Sequence, residues 1–137
     1  MIKSIVRDIK FLMIKSEDIT EKDKYIIDDL KDTLMFNSHR CVGMAANMIG
    51  YHKNAIVFFD NNKNIQIMLN PKILKKDLEY EASEGCLSLD GERMTKRYKK
   101  IKVEYLDEMF RKRIKTYTDF EAQIILHEID HTLGVII

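Results

Sequence analysis

The chain has 137 residues, 45% of them apolar and 33% charged, with a formal net charge of +1. That is long enough for one domain with a real core. The charge balance excludes a broad basic field for nucleic acid and a strongly acidic tail.

The opening stretch MIKSIVRDIKFLMIK has basic residues between its apolar ones every few positions. It lacks the unbroken apolar run of a signal peptide or a spanning helix. A cytoplasmic location with no membrane partner is therefore expected. The two cysteines, Cys41 and Cys86, are too few for a disulfide scaffold and agree with a reducing compartment. Residues Asp23–Phe36 place Ile26, Ile27, Leu30 and Leu34 at helical spacing, with Thr20 upstream as a cap, which predicts an amphipathic helix. AIVFF at 55–59 and IQIML at 65–69 flank the turn-forming DNNKN and predict a hairpin. Further short strands are expected at 73–76, 78–82, 101–106 and 111–117, the last two forming a second hairpin. The basic run RYKKIK at 97–102 reads as a solvated strand face rather than a nucleic-acid patch. Thr118 and Glu121 have capping-box spacing and predict a second helix running through His131, with Gly134 as its stop. The expected class is α+β. Short antiparallel strands pack around the late helix, one amphipathic helix lies near the N-terminus, and residues 1–137 form a single domain.

The late helix carries His127-Glu128-Ile129-Asp130-His131. Residues four apart share a helix face, so His127 and His131 can direct ring nitrogens to one metal ion. Glu128 then lies beside the metal as a base for bound water. Read blandly, the same residues are a polar helix end. The six residues after His131 carry no carboxylate, imidazole or thiol side chain. Apart from the terminal carboxylate, a remote option, a third ligand must come from upstream, from Cys86, Cys41, His39, His52 or a carboxylate side chain. Cys86 is preferred: glycine precedes it, strand-like segments flank it, and thiolate binds zinc or ferrous iron strongly. Cys41 reads better as core. Met44 and Met48 are flexible side chains suited to core filling or to lining a pocket.

With Glu84-Gly85-Cys86-Leu87-Ser88 and the His127–His131 motif both in view, the chain resembles the peptide deformylases. A third motif of that family, glycine-rich and ending in glutamine, corresponds here to residues Cys41-Val42-Gly43-Met44-Ala45-Ala46-Asn47-Met48. The resemblance implies a hydrolase that removes the formyl group from N-formylmethionyl nascent peptides, near the ribosome. It implies that Cys86, His127 and His131 hold Fe2+, with Zn2+, Ni2+ or Co2+ as substitutes, and that a water completes the site. Glu128 would take a proton from that water and pass it to the leaving amine. The Leu87 backbone N–H would help hold the oxyanion. Val42, Gly43 and Met48 would meet the substrate, its main chain along Gly43 and its methionine in an apolar pocket. Glu84 would pair with Arg97, and Asp130 would stand behind the ligands without binding metal.

Three departures from the family pattern stand out. Met48 occupies the place of a glutamine that donates to the oxyanion, and a thioether has no donor. Losing one such donor costs about a hundredfold to a thousandfold in turnover. Asn47 is adjacent but is expected to face away. Cys41 stands where glycine is usual, and the sequence ends six residues past the motif where many relatives continue. An alternative is therefore a deformylase-like metal protein with weak or altered activity. A structural metal module is a further reading and would need a fourth protein ligand.

Overall fold

The computed structural model describes residues 1–137. Its centre is one antiparallel sheet in the order β1-β2-β3-β4-β5, so every neighbouring pair is consecutive in sequence. The strands are β1 (Gly43–Ala45), β2 (Ala55–Phe59), β3 (Ile65–Cys86), β4 (Leu89–Leu106) and β5 (Lys112–Thr118). The expected hairpins are both present, as β2–β3 and β4–β5. Asp60 closes the first, its carboxylate accepting from the Asn62 and Asn64 backbone N–H groups, each at 2.9 Å. Asp107 does the same for the second, accepting from Met109 and Arg111.

The expectation of short strands throughout is corrected here. β3 and β4 run 22 and 18 residues and form one long ribbon where the local pattern predicts separate strands at 73–76 and 78–82. Register shifts at Leu69/Lys72 and Ile73/Lys75 absorb what resembled breaks. Pro71, which cannot donate to a ladder, falls within the first shift. The RYKKIK face is only partly solvated: Arg97 and Ile101 are buried, while Lys99, Lys100 and Lys102 are exposed.

Three helices complete the α+β architecture: α1 (Ile9–Leu12), α2 (Tyr25–Phe36) and α3 (Asp119–Thr132). The single turn α1 lies in a stretch with no clear periodicity and was not expected. α2 starts two residues late because a 3-10 turn occupies Glu21–Asp23. In that turn Asp23 accepts from the Thr20 backbone N–H at 3.1 Å, so the Thr20 side chain is not the cap. α2 buries Ile26, Ile27, Leu30 and Leu34 as its spacing requires. No helix is long and apolar enough to cross a membrane.

The capping box at Thr118 does not form. Thr118 is the last rung of β5, paired with Lys100, and Glu121 instead accepts from the Asn61 backbone N–H at 2.9 Å. Tertiary contact with the β2–β3 turn outcompetes the local bond. The C-terminus of α3 follows expectation. Gly134 has φ 79°, its N–H donates to His131 O, and the Val135 N–H donates to Asp130 O, so the chain leaves the helix in a left-handed turn. α3 packs across β1, β2, β4 and β5, with Ala122, Ile125 and Ile129 in a shared core with Phe58, Met68 and Ile101. This packing brings the helix face carrying His127 and His131 against the hairpin tip that carries Cys86.

Candidate active site

β3 ends at Cys86 and β4 begins at Leu89, so Cys86 sits at the mouth of a turn formed by Leu87 and Ser88. The Ser88 backbone N–H donates to Cys86 Sγ at 3.5 Å. From the other side α3 presents His127 and His131, one helical turn apart. Their Nε2 atoms lie 3.1 Å from each other, and Cys86 Sγ lies 3.3 Å from His131 Nε2. All three donor atoms fall within 4.8 Å of one another.

Behind them is a buried polar chain. Arg97 grips Glu84 in a fork, Nε to Oε2 at 2.9 Å and Nη2 to Oε1 at 2.7 Å. Its Nη1 donates to Asp130 at 2.7 Å. Glu84 also accepts from Gln123 Nε2 at 2.9 Å and meets His127 Nδ1 at 2.8 Å. Burial opposes the Glu84 charge, but the hydrogen bonds from His127 and Arg97 overcome it and hold its carboxyl down to about 2. An ionised Glu84 can only accept, so His127 carries its proton on Nδ1. Burial opposes a charge on His127, but Glu128 beside it and hydrogen bonds to Cys86 and Glu84 raise its imidazole to about 10, so a cation would take the place of the Nε2 proton. Burial keeps His131 neutral, its imidazole lowered to about 3.

These residues fit a divalent cation. Two imidazole nitrogens and a cysteine sulfur converge at separations of 3.1 and 3.3 Å, close to the roughly 3.3–3.8 Å edges of a tetrahedron with bonds of about 2.0–2.3 Å. Three polar atoms here have no partner: Ser88 Oγ, His131 Nδ1 and Glu128 Oε1. Buried orphan groups of this kind call for an ion or water. Glu128 is on the same helix face and packs on Gly43 of β1. Burial pushes its carboxyl up to about 7. A Cβ at Gly43 would stand 2.9 Å from Glu128 Oε2 and 2.8 Å from Ile124 Cγ2, so only glycine lets α3 lie this close to the strand.

A cleft of about 660 Å³ opens over this group. Val42, Gly43, Met48, Glu84, Cys86, Leu87, His127 and Glu128 all line it. Arg97 and Asp130 lie behind the lining. β1 pairs only with β2, so its other edge faces the cleft region without a strand partner. Met48, on the 3-10 turn Ala46–Ile49, folds back so that its sulfur accepts from the Ala45 N–H at 3.4 Å. Asn47 faces away, donating to His131 O at 2.8 Å, and supplies no amide to the cleft. The other ligand candidates are elsewhere. His52 stacks on Phe11 at 3.9 Å, and His39 is on the cleft's outer rim. Cys41 lines the cleft but is outside the three-donor group, and burial pushes its thiol up to about 11. Gln123 is one turn before His127 on α3. That spacing was the signal for its contact with Glu84.

Comparison with known proteins agrees with this geometry. The family model for polypeptide deformylase matches residues 2–137. The chain belongs to the peptide deformylase family. A curated peptide deformylase of Clostridium beijerinckii is 54% identical over 137 residues, covering 100% of both chains. Peptide deformylase 2 of Clostridium acetobutylicum is 38% identical over 121 residues, covering 88% of this chain and 79% of that one. Among solved structures, the Thermus thermophilus peptide deformylase superposes with a TM-score of 0.86 at 28% identity, over 99% of this chain and 83% of that one. The class I type b enzyme of Acinetobacter baumannii shares the fold, with a TM-score of 0.89 at 23% identity over 99% and 96% of the two chains.

Proposed function

We propose that this chain, acting as a single cytoplasmic domain, is a metal-dependent hydrolase that removes the formyl group from N-formylmethionyl peptides as they emerge near the ribosome. The observation that carries this reading is the meeting of Cys86 Sγ with the Nε2 atoms of His127 and His131 beside the buried carboxylate of Glu128. Family membership gives the reaction class, and the donor set supports the site.

Cys86, His127 and His131 would hold Fe2+, or Zn2+, Ni2+ or Co2+ in its place. Such a cation supplies Lewis acidity, polarising a carbonyl oxygen and making water a nucleophile near neutral pH. The remaining work falls to the chain. Glu128 receives the proton of the attacking water and returns it to the departing amine. Its orientation is set by contact with Gly43 rather than by a hydrogen bond. The Leu87 backbone N–H donates to the oxygen that gains charge. Glu84, fixed by Arg97, holds the His127 tautomer, and Asp130 in turn holds Arg97. The open edge of β1 at Val42 and Gly43 receives the substrate main chain as an added strand. Met48 lines the wall of the cleft as an apolar surface. A closed structural metal site would need a fourth protein ligand, and the donor group holds three residues.

The test is formate release from a formyl-Met peptide by protein loaded anaerobically with iron. Glu128→Ala should lose about a hundredfold to ten-thousandfold of that activity. Release by the parent no greater than by this variant would end the proposal.

A further inference from the structure

Arg7 lies far from the motifs in sequence, yet it reaches the turn that follows Cys86. Its Nη1 donates to the Leu87 carbonyl oxygen at 2.9 Å. Its Nη2 pairs with Asp90 Oδ1 at 2.6 Å, across that turn. The Leu87 carbonyl belongs to the peptide unit whose N–H is that of Ser88, and that N–H donates to Cys86 Sγ at 3.5 Å. The three groups form a continuous line: guanidinium, Leu87–Ser88 peptide, sulfur. The segment around Arg7 is anchored independently, because the Val6 N–H donates to Met48 O at 2.8 Å.

We propose that Arg7 is a positioning residue for the metal-binding thiolate. It clamps the Leu87–Ser88 peptide so that the Ser88 N–H stays aimed at Cys86 Sγ. A charge-assisted bond on a carbonyl polarises the peptide and strengthens the bond its N–H makes on the other side. Hydrogen bonds to a ligating sulfur withdraw electron density from it and tune the bound metal. The same clamp fixes the turn on which the Leu87 N–H is mounted. Arg7 touches neither substrate nor metal, and it acts through the peptide. The Asp90 carboxylate orients the guanidinium from the solvent side. The inference rests on Cys86 being a metal ligand.

Cobalt(II)-loaded protein tests it, because the sulfur-to-cobalt charge-transfer band reads the thiolate directly. Parent, Arg7→Met, Arg7→Lys and Arg7→Gln are compared for band position and for zinc affinity by chelator competition. In Arg7→Met the band should move to longer wavelength, as the sulfur regains electron density. Zinc affinity should weaken by about tenfold, the lower end for a group supporting a ligand. Arg7→Lys keeps a charged donor and should recover part of both changes, which a purely structural role in the N-terminal segment would not require. Should Arg7→Met fail to fold, Arg7→Gln, a neutral donor, carries the same comparison. Band and affinity that coincide with the parent's in the folded variant overturn the proposal. Parent protein that takes up no cobalt removes the ligand assignment on which it rests.

Discussion

Gly43→Ala is the smallest change that reaches the base without touching a proposed ligand. The added Cβ would lie 2.8 Å from Ile124 Cγ2, 2.9 Å from Glu128 Oε2 and 3.3 Å from Glu128 Cγ. Carbon contacts relax at about 3.5–4.0 Å, so α3 and the Glu128 side chain must retreat from β1 by roughly 0.7 Å. The neighbours have little room to give. Met44 and Ala45 of β1 are fully buried, and Ile125 of α3 is as well. Forcing a methyl group into such packing costs about 1–3 kcal/mol of stability. Misplacement of a catalytic group by about 1 Å costs on the order of a hundredfold in rate. We therefore expect kcat/KM for formyl-Met peptide to fall by about tenfold to a hundredfold. Metal content should stay at the parent's value, because Glu84 and Arg97 still hold His127. Formate release, elemental analysis and thermal melting together separate these effects. A variant that keeps its metal and works within about threefold of the parent would refute the claim that the Gly43 contact positions Glu128.

Three further outcomes follow from the same geometry. Glu84→Gln removes the charge that fixes the His127 tautomer, and should weaken zinc affinity by about tenfold to a hundredfold in chelator competition. It also weakens the charged fork to the buried Arg97 guanidinium, which keeps Asp130 as its remaining anionic partner, so chemical unfolding should show a loss of about 1.5–3 kcal/mol. Met48→Gln places an amide where the cleft wall has only a thioether, and formate release should rise by at least about tenfold; an unchanged rate would mean the oxyanion needs no side-chain donor here. The Asp60 carboxyl is held below its usual range by the Asn64 backbone N–H, with Gln66 and Asn62 adding to it. A lowered folded-state value means the stabilisation is complete above the unfolded-state value and is lost as pH falls through the folded one. The gap in urea midpoint between parent and Asp60→Asn should thus be constant near neutral pH and close below about pH 4.

The β2–β3 hairpin was legible because its signals are local: two short apolar strands and an aspartate-asparagine turn whose bonds close within five residues. α2 was legible from the spacing of Ile26, Ile27, Leu30 and Leu34. The Thr118–Glu121 box failed for the opposite reason. Its residues had better partners far away, on Lys100 and Asn61. The division of β3 into short strands failed because register shifts let a strand pass through residues that locally read as stops.

The sequence by itself determined the chemistry on offer: two imidazoles and a carboxylate on one helix face, a cysteine between strand segments, and a methionine where a donor is usual. Helical periodicity and residue type suffice for that. Only the tertiary structure decided that the cysteine meets those imidazoles, that Glu84, gripped by Arg97, bonds His127 Nδ1, that Gly43 packs against Glu128, and that Arg7 reaches the turn beside the sulfur. Those relations join residues dozens of positions apart. They exist only because α3 packs across the sheet and the β3–β4 ribbon ends beside it, and no periodicity within one element records where another element will lie.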